Sequence, residues 1–274
     1  MIQREFSRLA IADRGEPAMR VVHAVRELNH GRADPVHLIA LHTEAERDAL
    51  FVRLADEAVY LDPGPTGLER ALRAARADGA WGGSGPVAAP PDVADVCERL
   101  GIVFVGADTA ALQRIHTIAA EQQHFPVAPS TPFSRARCLT VPIVADGHGA
   151  VWPLGVCDHS CQRRGQSLLA ESSSPALTAD QERKIMSAAE RLAQDAGYRG
   201  VGTIEFLYDP EARRCYFVGV SAWLEHAVTE AVTGLDLVKL QLHLAAGGRL
   251  EGDPPPPVGH AIEARLRAED PALG

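Results

Sequence analysis

The chain has 274 residues, of which 46% are hydrophobic, enough to bury one large core or two smaller ones. Its formal net charge of −9 argues against nucleic acid or an anionic membrane as the main partner. No apolar run approaches the roughly 20 residues of a membrane span. No signal peptide precedes the first predicted strand, and the five cysteines lack regular spacing, so we expect a cytoplasmic protein.

Strand and helix patterns alternate over residues 7–107. The first strand, "RLAIAD" (8–13), is followed by a helix over 16–29, and further buried strands are "VHLIALHT", "EAVYLD" and "GIVFVGA". Short strands separated by helices predict a parallel sheet with right-handed crossovers. Ligands of such sheets bind at the carboxyl ends of the strands, so the turns 12–17 and 81–85 are candidate binding turns.

A Pro/Ser-rich stretch over 126–140 then separates this pattern from a different one. Beyond it, "LTVPIVAD" with "AVWPLGV" and "GTIEFLYD" with "CYFVGVSA" predict antiparallel hairpins. Thr178 begins a capping box, "TADQ", at the start of a long helix. We therefore expect an α/β domain over residues 1–125, a linker over 126–136 and an α+β domain over 137–274.

Two stretches contain residue types suited to metal binding or catalysis. "FVGVSAWLEHAVTE" (217–230) predicts a strand entering a helix, with acids and a histidine suited to a metal or a catalytic base. "CDHSC" (157–161) offers two thiols and a histidine, but its spacing does not match a four-ligand zinc site, so we predict no metal there.

Eight segments resemble biotin carboxylase in collinear order, and together they cover nearly the whole chain. They are "IADRGEPAMRVVHAVREL", "DALFVRLADEAVYL", "GIVFVGADTAAL", "VADGHGAVWPLG", "QRRGQSLLAESSSPALT", "GTIEFLYDP", "EHAVTEAVTGLDLVKLQLHLAAG" and "GHAIEARLRAEDP". Biotin carboxylase is the ATP-grasp component of acetyl-CoA, propionyl-CoA and pyruvate carboxylases. The resemblance implies a biotin-carboxylase-like parallel N-terminal domain packed on an antiparallel ATP-grasp C-terminal domain, and a homodimer by analogy.

The chain departs from the family in the region that covers ATP. The family's lid subdomain, with a glycine-rich loop and a phosphate-binding lysine, would follow "FPVAPS" (125–130), but only a few residues separate that segment from "ARCLTVPIVAD". A residue spans at most ~3.6 Å, so a lid of that size does not fit. The family also continues beyond "EDPALG". We expect a divergent, lid-deleted homologue with a truncated C-terminal domain.

The family's magnesium ligands are altered as well. The resemblance places Gly219 and Ser221 where the family has a glutamate and an asparagine, and leaves Glu205 as the remaining metal-binding carboxylate. Lysines are confined to positions 184 and 239, so phosphate-binding ammonium groups are nearly absent. We therefore predict that the protein has no cofactor and uses neither ATP with magnesium nor biotin.

The retained polar residues of the cleft are the catalytic candidates. We expect Glu205, Glu225, His226 and Arg265 to converge, with Glu225 or His226 as general acid or base and Arg265 binding an anion or polarising a carbonyl. Arg265 resembles the family's arginine that contacts bicarbonate and biotin. The alternative is that these residues form a buried ion-pair network that supports the fold.

Candidate substrate-binding residues surround the same cleft. They are Trp223, Trp81, Arg163, Arg164, Glu230 and Glu263. Trp223 replaces a family arginine and Trp81 a family histidine, which favours an apolar ligand. The alternative is that the aromatic rings fill space left by the lid.

Three functional hypotheses follow. The leading one is a cofactor-independent cyclase or isomerase that acts on an apolar acyl or polyketide-like molecule in natural product biosynthesis. The second is a catalytically inactive subunit, or pseudoenzyme, that pairs with itself or with acyl-CoA carboxylase subunits. The third is an ATP-dependent carboxylase completed by another chain.

Overall fold

The structure is a computed structural model that describes residues 6–64, 66–82, 90–107, 109–122, 136–163, 166–222 and 227–266. The predicted alternation of strands and helices forms a five-stranded parallel sheet with the strand order β3-β2-β1-β4-β5. Its strands are β1 (Arg8–Ile11), β2 (His37–His42), β3 (Glu57–Tyr60), β4 (Gly79–Trp81) and β5 (Val103–Val105). Its helices are α1 (Gly15–Asn29), α2 (Leu50–Leu54), α3 (Gly67–Ala74) and α4 (Pro90–Leu100). The expected parallel α/β architecture is confirmed.

The second half forms a seven-stranded antiparallel sheet with the order β11-β10-β6-β8-β9-β12, in which β7 also pairs with β6. Its strands are β6 (Arg137–Asp146), β7 (Val151–Pro153), β8 (Cys157–Arg163), β9 (Gln166–Ser172), β10 (Arg199–Asp209), β11 (Arg214–Ser221) and β12 (Ile262–Ala264). The accompanying helices are α5 (Thr109–Gln122), α6 (Ala179–Asp195), α7 (Ala227–Thr233) and α8 (Leu237–Ala245). The antiparallel second sheet is also confirmed.

Local sequence explains where α6 begins. The hydroxyl of Thr178 accepts a hydrogen bond from the Gln181 backbone N–H at 3.3 Å, and the Gln181 side chain accepts one from the Thr178 backbone N–H at 2.9 Å. This reciprocal pair satisfies two backbone donors at the helix N-terminus, as the predicted capping box requires.

Helix α8 joins the two sheets through one buried side chain. Gln241, which is 1% exposed, accepts a hydrogen bond from the Val201 backbone N–H in β10 and donates one to the Gly106 carbonyl just after β5, at 2.7 Å. Leaving a buried amide of this kind unpaired would lower the stability of the fold by about 1–3 kcal/mol. The two hydrogen bonds therefore hold α8, β10 and the end of β5 in one relative position.

The seven-stranded sheet has two different faces. The face that packs on α5 and α6, called the covered face below, carries buried apolar side chains that include Ile143, Ile204 and Phe206. On the opposite face, called the site face below, α7 packs over Cys157 and α8 packs over Val144. Among the described residues, no helix has the length and apolarity needed to cross a membrane.

Candidate functional site

Glu205 and Thr140 lie side by side on the site face. Strand β10 pairs antiparallel with β6 so that Glu205 is opposite Thr140, and Thr140 is in turn opposite Cys157 of β8. Directly paired residues of antiparallel strands point to the same face, with Cβ atoms about 4.5–5.5 Å apart. A half-buried carboxylate and a hydroxyl are therefore placed next to each other, in the arrangement that oxygen-preferring cations use.

The Thr140 hydroxyl is a buried polar atom without a hydrogen-bond partner within the described ranges. A buried hydroxyl without a partner lowers the stability of a folded protein by roughly 1–3 kcal/mol. Its presence at Thr140 therefore calls for a structural or functional reason. Its neighbour Cys138, two residues earlier on the same face, is half-buried. Burial raises the pKa of the Cys138 thiol, and the Asp158 and Glu205 carboxylates contribute in the same direction. The pair of Glu205 and Thr140 is thus the polar, unsatisfied part of the site face.

A second polar group lies at the other end of the same sheet. Arg265, just beyond β12, places its Nε 3.4 Å from Oε1 of Glu263, and its backbone N–H donates to the Leu168 carbonyl at 2.9 Å.

His159 of β8 lies near this arginine: burial lowers the pKa of His159, the positive charge of Arg265 lowers it further, and Asp158 opposes both. The ring nitrogen Nδ1 of His159 is 3.3 Å from the Ser167 hydroxyl. Sequence reasoning considered His159 only as a metal ligand within "CDHSC" and did not connect it with Arg265.

The structure separates these two groups. Glu205 on β10 and Glu263 on β12 are four strand spacings apart, or roughly 19 Å across the sheet. Glu205 lies on β10 and Arg265 lies just beyond β12, so the expected convergence of their side chains stays a prediction. They form two subsites on one face, a carboxylate–hydroxyl subsite at Glu205 and Thr140 and a cationic subsite at Arg265 and His159.

Glu230 has a structural position that corrects its expected role in substrate binding. Its Oε1 accepts hydrogen bonds from Nη2 of Arg20 in α1 at 2.5 Å and from the backbone N–H of Leu237, the first residue of α8, at 2.8 Å. The carboxylate thus links α1 of the first domain to α7 and α8 of the second. The sequence had offered an ion-pair alternative for Glu205, Glu225, His226 and Arg265 but not for Glu230, whose ion pair with Arg20 was not expected.

Trp81 also departs from its expected role. Its side chain is 3% exposed and packs in a cluster with Val105 of β5 and Val238 and Leu242 of α8. Its Nε1 has no hydrogen-bond partner among the described residues. The ring fills the contact between the parallel sheet and α8, which is neither a wall of the cleft nor the space left by the lid.

The remaining candidates lie apart or outside the described residues. Arg163 is the exposed last residue of β8, roughly 20 Å along that strand from Cys157, which pairs with Thr140. Trp223, Glu225, His226 and Arg164 lie outside the described residues. The first candidate turn is described: Gly15 adopts the left-handed backbone conformation there with φ of 61°, and Arg14 is ion-paired to Glu46 at 3.0 Å.

Asp158 accepts hydrogen bonds from three side chains of the second domain, and sequence reasoning passed over it. It is 4% exposed, and its donors are Arg137, the Ser160 hydroxyl and backbone N–H, and the Ser174 hydroxyl at 2.6 Å. Burial raises the pKa of Asp158, but these hydrogen bonds together hold it below its ordinary value of 3.8. The only sequence signal was a serine two residues after an aspartate, a spacing typical of a local turn.

Comparisons with known proteins agree with this architecture. Residues 5–112 match the family described as "Biotin carboxylase, N-terminal domain", and residues 132–252 match "Carbamoyl-phosphate synthase L chain, ATP binding domain". Biotin carboxylase 1 of Bacillus subtilis is 30% identical over 351 aligned positions, which cover 97% of this chain and 77% of that protein.

Solved structures are similar over almost the whole chain. The biotin carboxylase domain of a thermophilic 2-oxoglutarate carboxylase bound to bicarbonate has a TM-score of 0.85 at 25% identity, with 98% of this chain and 76% of that chain covered. The complete multifunctional pyruvate carboxylase from Rhizobium etli has a TM-score of 0.84 at 28% identity. Here 95% of this chain covers only 26% of that longer chain.

These comparisons correct the predicted cofactors. The expectation of a protein that uses neither ATP with magnesium nor biotin is wrong, because residues 132–252 match an ATP-binding domain and the relatives are biotin carboxylases. The expectation gave too much weight to the missing lysines and the altered ligands at Gly219 and Ser221. Among the described residues, one place on the site face is suited to a magnesium nucleotide: Glu205 offers a carboxylate, and Thr140 has an unpaired hydroxyl beside it.

Proposed function

The chain belongs to the biotin carboxylase family, and on that premise we propose that it binds ATP with magnesium on the site face and takes part in ATP-dependent carboxylation. The relatives are carboxylases or components of carboxylases, such as pyruvate carboxylase 1 of Caenorhabditis elegans and the alpha chain of mouse methylcrotonoyl-CoA carboxylase. The proposal assigns the nucleotide to the subsite of Glu205 and Thr140, and an anionic substrate such as bicarbonate to the subsite of Arg265 and His159.

The observation that carries the proposal is the buried, unpaired hydroxyl of Thr140 next to the carboxylate of Glu205 within the described part of the chain. Threonine tolerates burial when its hydroxyl has a partner, and a metal-bound water or a phosphate oxygen supplies one. Glu205 supplies the negative charge that a magnesium ion requires. When bound, the magnesium nucleotide supplies the phosphoryl group that activates bicarbonate.

Arg265 is suited to an anion because its guanidinium group is positively charged and Glu263 holds it in place. Burial and the charge of Arg265 keep the pKa of His159 below its ordinary value, so His159 is neutral at neutral pH and can accept a proton or a hydrogen bond. The arginine then binds the anion, and the uncharged imidazole orients it through a ring nitrogen. Phosphoryl transfer requires contact between the terminal phosphate and bicarbonate, so the side chains of Glu205 and Arg265, the metal and the two reactants together have to span the roughly 19 Å between strands β10 and β12.

A second candidate function is a carboxylase subunit that binds the nucleotide but completes the reaction with another chain. The alignment with the Bacillus subtilis protein runs over 351 positions, more than the 274 residues of this chain. The relative therefore has residues within the aligned region that this chain lacks. This agrees with the predicted loss of the lid, which would leave another chain to cover the nucleotide.

The cyclase or isomerase hypothesis receives no support from the described residues. It depended on two tryptophans lining an apolar cleft, but Trp81 is buried in the first domain and Trp223 lies outside the described residues. The described part of the site face carries a carboxylate, a hydroxyl and a cationic subsite, which suit a charged ligand better than an apolar one.

The test is calorimetric titration of the protein with ATP and with ADP, each with and without magnesium. We expect magnesium-dependent binding that Glu205→Gln weakens at least about tenfold, because a charged metal ligand is replaced by a neutral one. The matched control is Glu171→Gln on β9, whose carboxylate is 3.4 Å from His260 rather than beside Thr140. Absence of nucleotide binding, or equal effects of the two variants, would contradict the proposal.

Turnover distinguishes the two candidates. Bicarbonate-dependent release of ADP by the isolated chain supports a carboxylase that works alone. Release that requires an added carboxylase component, with nucleotide binding already present in the isolated chain, supports the second candidate.

A further inference from the structure

A cavity of about 520 Å³ lies on the far side of the second domain, between α6 and the hairpin of β10 and β11. Its floor is formed by the buried side chains of Ile185, Tyr208 and Cys215. This lies on the covered side of the sheet, away from Glu205 and Thr140. A volume of a few hundred Å³ is within the range of small-molecule sites.

Three cationic side chains line the cavity, and its described lining includes no carboxylate. Lys184 and Arg191 come from α6, and Arg213 comes from the turn that precedes β11. Neither Arg191 nor Arg213 forms an ion pair with any described residue, although the whole chain carries 36 acidic and 27 basic residues. Lys184 does pair with Asp180 at 2.8 Å, but this ion pair is exposed and weakened by solvent, so the ammonium group can also contact a ligand.

The geometry of α6 sets the shape of the ligand. Lys184 and Arg191 are seven residues apart, which places them on the same side of the helix about 10.5 Å apart along its axis. Ser187 lies between them and also lines the cavity. This spacing favours a molecule with more than one anionic group.

The backbone at Arg213 supports a defined position for the third cation. Arg213 adopts the left-handed conformation with φ of 51°, which costs a non-glycine residue about 1–2 kcal/mol. Asp209 fixes this turn by accepting hydrogen bonds from the backbone N–H groups of Glu211 and Ala212 at 2.9 and 3.2 Å. The turn therefore directs Arg213 towards the cavity opposite α6.

We propose that this cavity binds a small organic polyanion, with anionic groups contacting Lys184, Arg191 and Arg213. Arginine guanidinium groups bind carboxylates and phosphates through paired hydrogen bonds, so both ligand chemistries are compatible. The site is separate from the proposed nucleotide site and does not depend on it.

The experiment titrates the full chain with two probes, tripolyphosphate and tricarballylate, by calorimetry at low and high ionic strength. Binding of either probe that weakens with salt supports the site, and the preferred probe assigns the ligand to the phosphates or the carboxylates. Lys184→Gln, Arg191→Gln and Arg213→Gly should each weaken binding about tenfold, because each removes a charged hydrogen bond. Glycine suits position 213 because its backbone already has a positive φ.

Neighbouring residues provide matched controls. Arg183→Gln and Arg214→Gln remove the same charge one position away, from side chains that do not line the cavity. We expect changes of less than about twofold for both, since only long-range electrostatics is altered. Failure of both probes to bind at low ionic strength, or equal weakening by all five variants, would overturn the proposal.

A further variant keeps this result separate from the nucleotide site. Glu205→Gln should leave tripolyphosphate binding unchanged if the probe occupies the cavity. Loss of tripolyphosphate binding in Glu205→Gln, with no effect of the three cavity variants, would overturn the polyanion site while supporting the proposed nucleotide site.

Discussion

The two faces of the seven-stranded sheet are built from the same strands but carry opposite chemistry. On the covered face, Ile204 and Phe206 of β10 are at most 2% exposed and pack against α5 and α6. Between and beside them along the same strand, Glu205 and Leu207 are half-buried on the site face. Alternation along one strand thus places packed core side chains on one face and the proposed ligand site on the other. The unpaired Thr140 hydroxyl is on the second face.

The largest expected effect is on the covered face. Phe206→Ala should lower the free energy of unfolding by about 3–5 kcal/mol, because it removes a buried ring that packs edge-on against Phe217 at 6.4 Å. The control is Leu207→Ala, the next residue on the site face, for which we expect about 1 kcal/mol. Chemical denaturation of both variants measures the difference. Similar losses for the two would show that the faces are not divided in this way.

Asp158→Ala should lower the free energy of unfolding by about 3 kcal/mol at neutral pH, because Arg137, Ser160 and Ser174 lose their common acceptor. The pKa of this carboxyl is held below 3.8, so its contribution is present above that pH and is lost as the pH falls through the folded-state pKa. Denaturation between about pH 2 and 7 should therefore show the variant and the wild type converging in acid. A constant difference across that range would contradict the assignment.

Glu230→Gln tests whether the contact between domains is structural. We expect a loss of about 1–2 kcal/mol in the free energy of unfolding, since Arg20 loses one charged partner and keeps Glu16 at 3.8 Å, while the Leu237 N–H keeps an acceptor. Nucleotide affinity should stay within about twofold of the wild type, because the carboxylate lies outside both proposed subsites. A large fall in affinity with unchanged stability would restore Glu230 as a ligand-binding residue.

The smallest effect concerns the thiols. Burial raises the pKa of Cys97 and of Cys215 to about 12 and that of Cys157 to about 11, whereas Cys161 is exposed. A thiol-labelling reagent at about pH 8 should therefore modify Cys161 first, and the three buried thiols only on unfolding. Mass spectrometry of the labelled peptides measures the order. Early modification of Cys157 would indicate that α7 does not cover this part of the site face.

Local sequence predicted the elements better than it predicted the site. The hydrophobic alternation around Glu205 and the capping box at Thr178 depend on neighbouring residues, and both the strand and the helix form where expected. The position of Glu230 depends on Arg20, 210 residues away, and the burial of Trp81 depends on α8. Such contacts depend on the packing of the two domains, which no local pattern encodes.

The difference between local and long-range contacts also explains why sequence reasoning did not assign Thr140 and His159 to a site. Thr140 became notable only once the register placed it opposite Glu205, and His159 only once β9 and β12 brought Arg265 near it. Strand register is a long-range property, and a shift of one residue would move every one of these side chains to the other face.

The most direct measurement is the stability and nucleotide affinity of Thr140→Val. Because the hydroxyl has no partner among the described residues, its removal should leave the ligand-free protein unchanged or stabilise it by about 1 kcal/mol. Magnesium-dependent ATP binding should weaken about tenfold, which corresponds to about 1.4 kcal/mol. The control is Thr229→Val, whose hydroxyl contacts the Cys157 thiol at 3.4 Å. Lower stability of Thr140→Val with unchanged ATP affinity would contradict the account.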